Sequence, residues 1–244
     1  MRSNDFTVRN TQSLRWLIFS PLEKHSLVLH GFTTRSYPAS VDQNIRLDHL
    51  IRKITGVNRE VVSLRQVHGD ECVVITSKDK LRREYRGDAV LTDRKDIFIS
   101  IQVADCVPIF MHEEKRRVIG LIHAGWKGTL LGIAKRTIET AKERLGCEPG
   151  NFTICFGPSI RSCCYRVSDD VAILFDDECI HPSAKGGATL DLIGINRKQL
   201  LGCGVKDNMM FATSSCTCCE KKLFYSYRRE KENTGRMVGF LGLK

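Results

Sequence analysis

Three short segments of the chain set a reactive side chain among small or turn-forming neighbours. They are Gln66 to Asp70 (Gln-Val-His-Gly-Asp), Ala104 to Pro108 (Ala-Asp-Cys-Val-Pro) and His123 to Thr129 (His-Ala-Gly-Trp-Lys-Gly-Thr). In each, the reactive residue (His68, Cys106 or His123) falls at or near the end of a predicted strand, where rigid scaffolds present functional groups. Two imidazoles and one thiolate suit zinc, and three protein ligands leave a fourth position for water or substrate. On spacing alone the case is thin. The three residues are far apart, no short metal motif links them, and a His or Cys at a strand end is more often simply packed or hydrogen-bonded. A Cys106–His123 pair working without metal, as a thiol activated by an imidazole, is the competing chemistry.

The third segment has a second feature. Gly125 and Gly128 let backbone N–H groups turn toward one point, Lys127 lies in the same turn, and Thr129 can cap the helix that follows. Such a loop can hold an anion; it is equally an ordinary capped connection between a strand and a helix. Phe224 to Arg229 alternates aromatic and small residues before two arginines. That pattern predicts a half-buried strand delivering Arg228 or Arg229 to an anion, with surface arginines at a strand end as the plain alternative. Cys216-Thr-Cys-Cys219 resembles half of a zinc ribbon. A second pair at ribbon spacing is missing, although Cys163 and Cys164 could approach in space. Reduced, partly buried thiols are the expected state of this tail.

The elements that must position these residues are legible in outline. Ser26 to Thr34 reads as a strand ending in a turn, and Val41 to Thr55 as a helix closed by Gly56. Val61–Leu64, Glu71–Thr76, Ile97–Val103, Pro108–His112 and Val118–His123 are short runs rich in β-branched and aromatic residues. The polar cluster Glu113 to Arg116 reads as the turn between the last two. Thr129 to Leu145 predicts a helix, with Leu130, Leu131, Ala134, Ile138, Ala141 and Leu145 on one face and Gly146 at its end. Phe152–Phe156 reads as a strand, Asp191–Leu201 as a helix and Arg236–Leu241 as a final strand. Strands and helices are interspersed without strict βαβ alternation. The expected fold is therefore α+β, a single domain over 1–244 with mixed β-sheets flanked by helices.

Bulk properties exclude several classes. The chain has 244 residues, 42% hydrophobic and 27% charged, which is ordinary globular composition and enough to bury a full core. A net charge of +10 could draw nucleic acid or anionic metabolites. The basic residues scatter without a run of five, which argues against a nucleic-acid partner. No stretch approaches the ~20 apolar residues of a membrane span. The run from Leu14 to Leu22, short, set in from the start and broken by Arg15 and Pro21, is not expected to act as a signal peptide. Eleven cysteines, odd in number and partly adjacent, lack a secreted framework. Free thiols in a cytoplasmic protein are expected, with no disulfide.

Taken in order, several segments resemble the YfiH family, also called the laccase-domain or polyphenol oxidase-like family. They are His30 to Arg35, Gln66 to Gly69, Asp88 to Thr92, Ala104 to Ile109, His123 to Gly128, Gly157 to Ile160 with Cys163 to Tyr165, Cys216-Thr217 with Cys219 or its neighbour, Phe224 to Arg229, and Thr234 to Arg236. The resemblance implies a zinc site on His68, Cys106 and His123, with Cu2+ as another possible occupant. It also implies phosphorolysis of adenosine, inosine and S-methyl-5′-thioadenosine by inorganic phosphate, with adenosine deamination as a side activity. Copper-dependent phenol oxidase and metal-independent Cys–His hydrolase are the alternative activities attached to such sequences. Asp105, beside Cys106, is the candidate for proton transfer or for support of the ligand. Arg46, Lys127 and Arg229 are candidates to hold substrate or phosphate. One region departs from the family pattern: Ser36 to Ser40 replaces a Gly-Gly-x-Ser turn, and the loop at 36–44 is shortened.

Overall fold

A computed structural model of the chain describes residues 6–10, 14–25, 27–37, 43–182 and 187–244. Its strands are β1 (Phe6–Asn10), β2 (Arg15–Phe19), β3 (Val28–Thr33), β4 (Glu60–Arg65), β5 (Cys72–Ile75), β6 (Glu84–Arg86), β7 (Ala89–Thr92) and β8 (Ile97–Val103). They continue with β9 (Val107–Glu113), β10 (Val118–Ala124), β11 (Phe152–Phe156), β12 (Arg166–Val167), β13 (Ile180–Pro182), β14 (Ala188–Leu190), β15 (Met210–Ala212) and β16 (Met237–Leu243). Seven form a sheet in the order β1-β2-β3-β16-β8-β4-β6, six a second sheet in the order β15-β11-β9-β10-β7-β5, and three a small sheet, β12-β14-β13. Both large sheets are mixed. The β4–β8 and β5–β7 pairs are parallel, whereas β8–β16 and β9–β10 are antiparallel.

Period-two alternation explains why the large sheets stack face to face. On β8, Ile97, Ile99, Ile101 and Val103 enter the core between the sheets, and Phe98 faces the other way. On β9 and β10, Phe110, Ile119 and Leu121 meet that same core, and Ile109, Met111, Val118 and Ile122 face outward. Each outward face is covered by helix. Leu47, Leu50 and Ile51 of helix Gln43–Thr55 pack on Phe98, Val238 and Phe240. Helices Ile133–Leu145 and Leu192–Gly202 cover the second sheet through Ile133, Ala134, Ile138 and Leu192. The result is an α+β fold of helix, sheet, sheet and helix layers.

Ile97–Val103 and Phe152–Phe156 fall where the sequence pattern puts them, and Gly56 takes φ +73 after the helix at Thr55. Two elements differ. The helix expected over Thr129–Leu145 is two helices, Trp126–Leu130 and Ile133–Leu145, divided at Gly132 with φ +80. Leu130 and Leu131, expected on its buried face, are 38% and 56% exposed, because the break rotates them away from the sheet. The strand expected at Phe224–Arg229 is a loop leading into helix Tyr227–Glu230, with Ser226 Oγ accepting the Arg229 N–H as its cap. Alternating aromatic residues there serve a buried anchor, Phe224, rather than a pleat. Ser26, Val41 and loop residues 38–42 lie outside the described residues, as does the side chain of Arg46. Among the described residues, no helix is long and apolar enough to cross a membrane.

Candidate metal centre

The chain passes from the first large sheet to the second through the tight link between β8 and β9, and Cys106 sits in that link. Its backbone is set by Asp105, whose φ of +87 is a conformation non-glycine residues rarely hold. Three contacts hold it there. Asp105 Oδ1 accepts from Thr217 Oγ1 at 2.6 Å, and Oδ2 accepts from Ser226 Oγ at 3.0 Å and from Arg228 N at 2.6 Å. The carboxylate therefore ties the C-terminal loops to the turn that presents Cys106.

His123 ends β10, where the register opposite β9 pairs it with Pro108, two residues from Cys106. His68 follows β4, the parallel neighbour of β8. The three donor atoms come within 4.8 Å of one another, and the two imidazole rings stand 4.8 Å apart, nearly perpendicular at 82°. His123 is buried and His68 exposed, so the group opens toward solvent on one side.

Asp88, which sequence analysis did not assign a role, organises the two histidines. Its carboxylate is fully buried. Oδ2 accepts from Val67 N at 3.1 Å and Gly69 N at 2.8 Å; Oδ1 accepts from His68 N at 2.9 Å and lies 2.8 Å from His123 Nδ1. Three successive N–H groups curled around one anion form a nest, and it holds His68 at φ +59. The bond to Nδ1 leaves Nε2 of His123 free as a ligand atom. Burial alone pushes the Asp88 carboxyl up, but the hydrogen bonds from His123 and Gly69 hold it below the usual carboxylate range. The sequence held one signal: an aspartate leading directly into the apolar strand Ala89–Thr92 is buried and must find donors.

The donors fit a soft divalent cation. Burial pushes the Cys106 thiol up, and the adjacent His123 charge with hydrogen bonds from His123 and His68 outweighs it, bringing it down to about 6. Burial pulls His123 down, and the Cys106 thiolate together with Asp88 carries it up to about 9. The two groups thus share a proton between a thiolate and an imidazole, and a zinc ion can take that proton's place. Space has been kept for it. A Cβ at Gly125 would lie 3.1 Å from Cys106 Sγ and 3.2 Å from His68 Cδ2.

The cluster lies in the wall of a cavity of about 820 Å³. Trp126, Tyr165 and Tyr227 give it aromatic surfaces, and Lys127, Arg228, Lys231 and Arg236 give it positive charge. The Arg228 guanidinium lies 5.3 Å from the Tyr165 ring centre, and Lys127 Nζ 5.5 Å from that of Trp126. Arg229 points elsewhere. Its Nη1 donates to Thr217 O and Cys218 O, its Nη2 to Phe224 O and Glu230, and its Nε to Glu230, which occupies every nitrogen. Thr129 is buried, and its Oγ1 accepts from Asn196 Nδ2; the residue preceding the helix is Gly125, without a side-chain cap.

Known proteins are similar to this chain in sequence and fold. YlmD of Bacillus subtilis, named a purine nucleoside phosphorylase, is 34% identical over 192 residues, covering 73% of this chain and 69% of that protein. A protein named adenosine deaminase RL5, from an unknown prokaryotic organism, is 32% identical over 191 residues, covering 72% of each. The crystal structure of the hypothetical protein YfiH from Bacillus licheniformis superposes with a TM-score of 0.86 at 29% identity, over 99% of this chain and 100% of that one. The model of the family described as multi-copper polyphenol oxidoreductase laccase matches residues 21–244, and with the fold and relatives just described the chain belongs to that laccase-like YfiH/YlmD family.

Proposed function

We propose that this chain is a purine nucleoside phosphorylase that cleaves adenosine, inosine and S-methyl-5′-thioadenosine with inorganic phosphate. The observation that carries the reading is one cavity joining aromatic surfaces for a planar base, cationic side chains for phosphate, and a three-donor cluster with an open side. The relatives named purine nucleoside phosphorylases support it.

In phosphorolysis a phosphate oxygen bonds to C1′ of the ribose as the C1′–N9 bond breaks. The bonding pair leaves with the purine, which takes up a proton, and the sugar departs as its 1-phosphate. Developing positive charge at C1′ favours a phosphate held close and aligned. Arg228, Arg236 and Lys127 are our candidates for that task, and Arg229 is not, since its guanidinium is committed to the fold. Trp126, Tyr165 and Tyr227 would flank the base and exclude water from the ribosyl cation. Asp105 acts as a positioning residue, because its carboxylate already accepts three hydrogen bonds. His68, Cys106 and His123 would hold Zn2+, with Cu2+ as the other candidate. When bound, the ion supplies a Lewis acid that polarises a substrate atom.

A relative named adenosine deaminase favours hydrolytic loss of the 6-amino group as a second reaction in the same cavity. One assay separates the possibilities. Adenosine is incubated with the purified chain with and without phosphate, while adenine, inosine, ribose 1-phosphate and bound metal are followed together. Phosphate-dependent adenine with equimolar ribose 1-phosphate is expected. Inosine formed without phosphate identifies deamination. Turnover that survives complete removal of metal would move the assignment to a Cys106–His123 hydrolase.

A further inference from the structure

A second set of soft donors converges away from the cavity floor. Cys163 and Cys164 belong to the turns after β11, and Cys216 and Cys219 to the turns after β15. The ligand atoms of all four lie within 4.8 Å of one another. Cys163 Sγ is 3.8 Å from the sulfurs of both Cys164 and Cys219, and Cys164 Sγ is 3.3 Å from that of Cys219. A disulfide requires about 2.05 Å between sulfurs. Thiolates at ~2.3 Å from one tetrahedral zinc stand roughly 3.8 Å apart.

Two further observations point to a built site. Cys216 is buried, and its backbone N–H donates to Glu220 Oε1 at 3.2 Å, which fixes the turn that carries the thiol. The two turns are also stitched together independently of any metal. Ser159 and Cys216 form a parallel bridge, Thr217 N donates to Ser159 O at 3.0 Å, and Arg161 Nη1 donates to Thr213 O at 3.0 Å. The sulfurs are thus held near one another by the fold.

We propose that Cys163, Cys164, Cys216 and Cys219 bind one Zn2+ as a tetrathiolate site, separate from the His68–Cys106–His123 centre. Four thiol protons pass to solvent as the ion binds, leaving a dianionic complex. The site braces the cavity wall. Tyr165, next to Cys164, lines the cavity, and Thr217, next to Cys216, holds the Asp105 carboxylate beside Cys106. It stands independently of the phosphorylase reading.

The test compares the wild-type chain, purified reduced from zinc-supplemented medium, with Cys164→Ser/Cys219→Ser and with His68→Ala/Cys106→Ala/His123→Ala. Zinc per chain by atomic emission should fall from two equivalents to one in each variant. The triple variant loaded with Co2+ should show the intense charge-transfer bands of a tetrahedral tetrathiolate. A folded triple variant that binds no metal overturns the proposal. So does a Cys164→Ser/Cys219→Ser chain that keeps both equivalents, or a Cys164–Cys219 disulfide in freshly purified, reduced protein. If either variant fails to fold, Co2+ titration of the wild-type chain decides. A second equivalent with four-thiolate intensity supports the site, and saturation at one equivalent with a one-thiolate spectrum overturns it.

Discussion

Asp88→Asn is the most informative single substitution, because it exchanges one oxygen for an NH2 group and leaves volume and shape nearly intact. The carboxylate receives four donors, two on each oxygen: His68 N and His123 Nδ1 on Oδ1, Val67 N and Gly69 N on Oδ2. An amide has one acceptor oxygen, so either rotamer sets an N–H2 group against two donors. If the amine faces Val67 and Gly69, two partly buried N–H groups lose their acceptor, at ~1–3 kcal/mol each. The nest that holds His68 at φ +59 then opens. If the amine faces His123, the imidazole must accept at Nδ1 and carry its proton on Nε2, the atom needed for the metal. Loss of such a supporting group typically weakens metal binding by about 10–100-fold. Zinc affinity measured against a competing chromophoric chelator should fall within that range. Thermal unfolding in chelator, where metal no longer contributes, should still drop by at least about 4 °C, taking ~2 kcal/mol at about 2 °C per kcal/mol for a chain of this size. An Asp88→Asn protein with wild-type zinc affinity and an unchanged melting temperature would refute the reasoning.

His68→Ala, Cys106→Ala and His123→Ala should each lose one equivalent of metal, that of this centre, and turnover together while far-ultraviolet circular dichroism stays native; full activity in His68→Ala protein that lacks that equivalent would instead favour thiol chemistry. Arg228→Ala should raise the KM for phosphate with little change in melting temperature, whereas Arg229→Ala, which strips three backbone carbonyls and Glu230 of their donor, should show mainly a lower melting temperature. Gly125→Ala should weaken zinc binding in a folded protein, since the new methyl lies 3.1 Å from Cys106 Sγ; unchanged affinity would mean that the loop yields at no cost. Burial pushes His30 down to about 4, so the unfolded chain binds the proton first as pH falls. Its contribution of about 3 kcal/mol is present above pH 6.5 and lost between there and about 4. In urea titrations His30→Gln should be less pH-dependent than the wild type across that window, and parallel pH profiles would exclude the histidine as a cause.

How much of this was legible depended on how far each residue's reason lay from it along the chain. The strands of the stacked sheets announced themselves because burial on both faces demands runs such as Ile97–Val103, in which nearly every residue is apolar. The break at Gly132 was hidden because the apolar spacing on its two sides still fits one helical period. Only the left-handed φ at that glycine reveals that the two segments face different neighbours. Phe224 to Arg229 misled for the opposite reason. Its alternation is genuine, but it is imposed by Phe224 entering the core and by Ser226 turning inward to Asp105, and no strand lies alongside to pair with it.

The same distinction separates the candidate ligands from the residues that aim them. His68, Cys106 and His123 can be picked out as candidates by type and by position at strand ends, since the donor chemistry belongs to each side chain itself. Asp88 and Asp105 act through partners that only the fold supplies, 19–35 residues away for the first and 112–123 for the second. Sequence proximity made Asp105 a candidate for proton transfer or for support of the ligand, because it adjoins Cys106. Its carboxylate holds loops from the far end of the chain, while the aspartate that touches His123 lies just before β7. Adjacency to Cys106 pointed to Asp105 and passed over Asp88, which burial without an apparent local partner would have singled out. An isolated carboxylate that precedes a wholly buried strand must collect donors, and the backbone N–H groups of a turn bearing a histidine are a ready source of them.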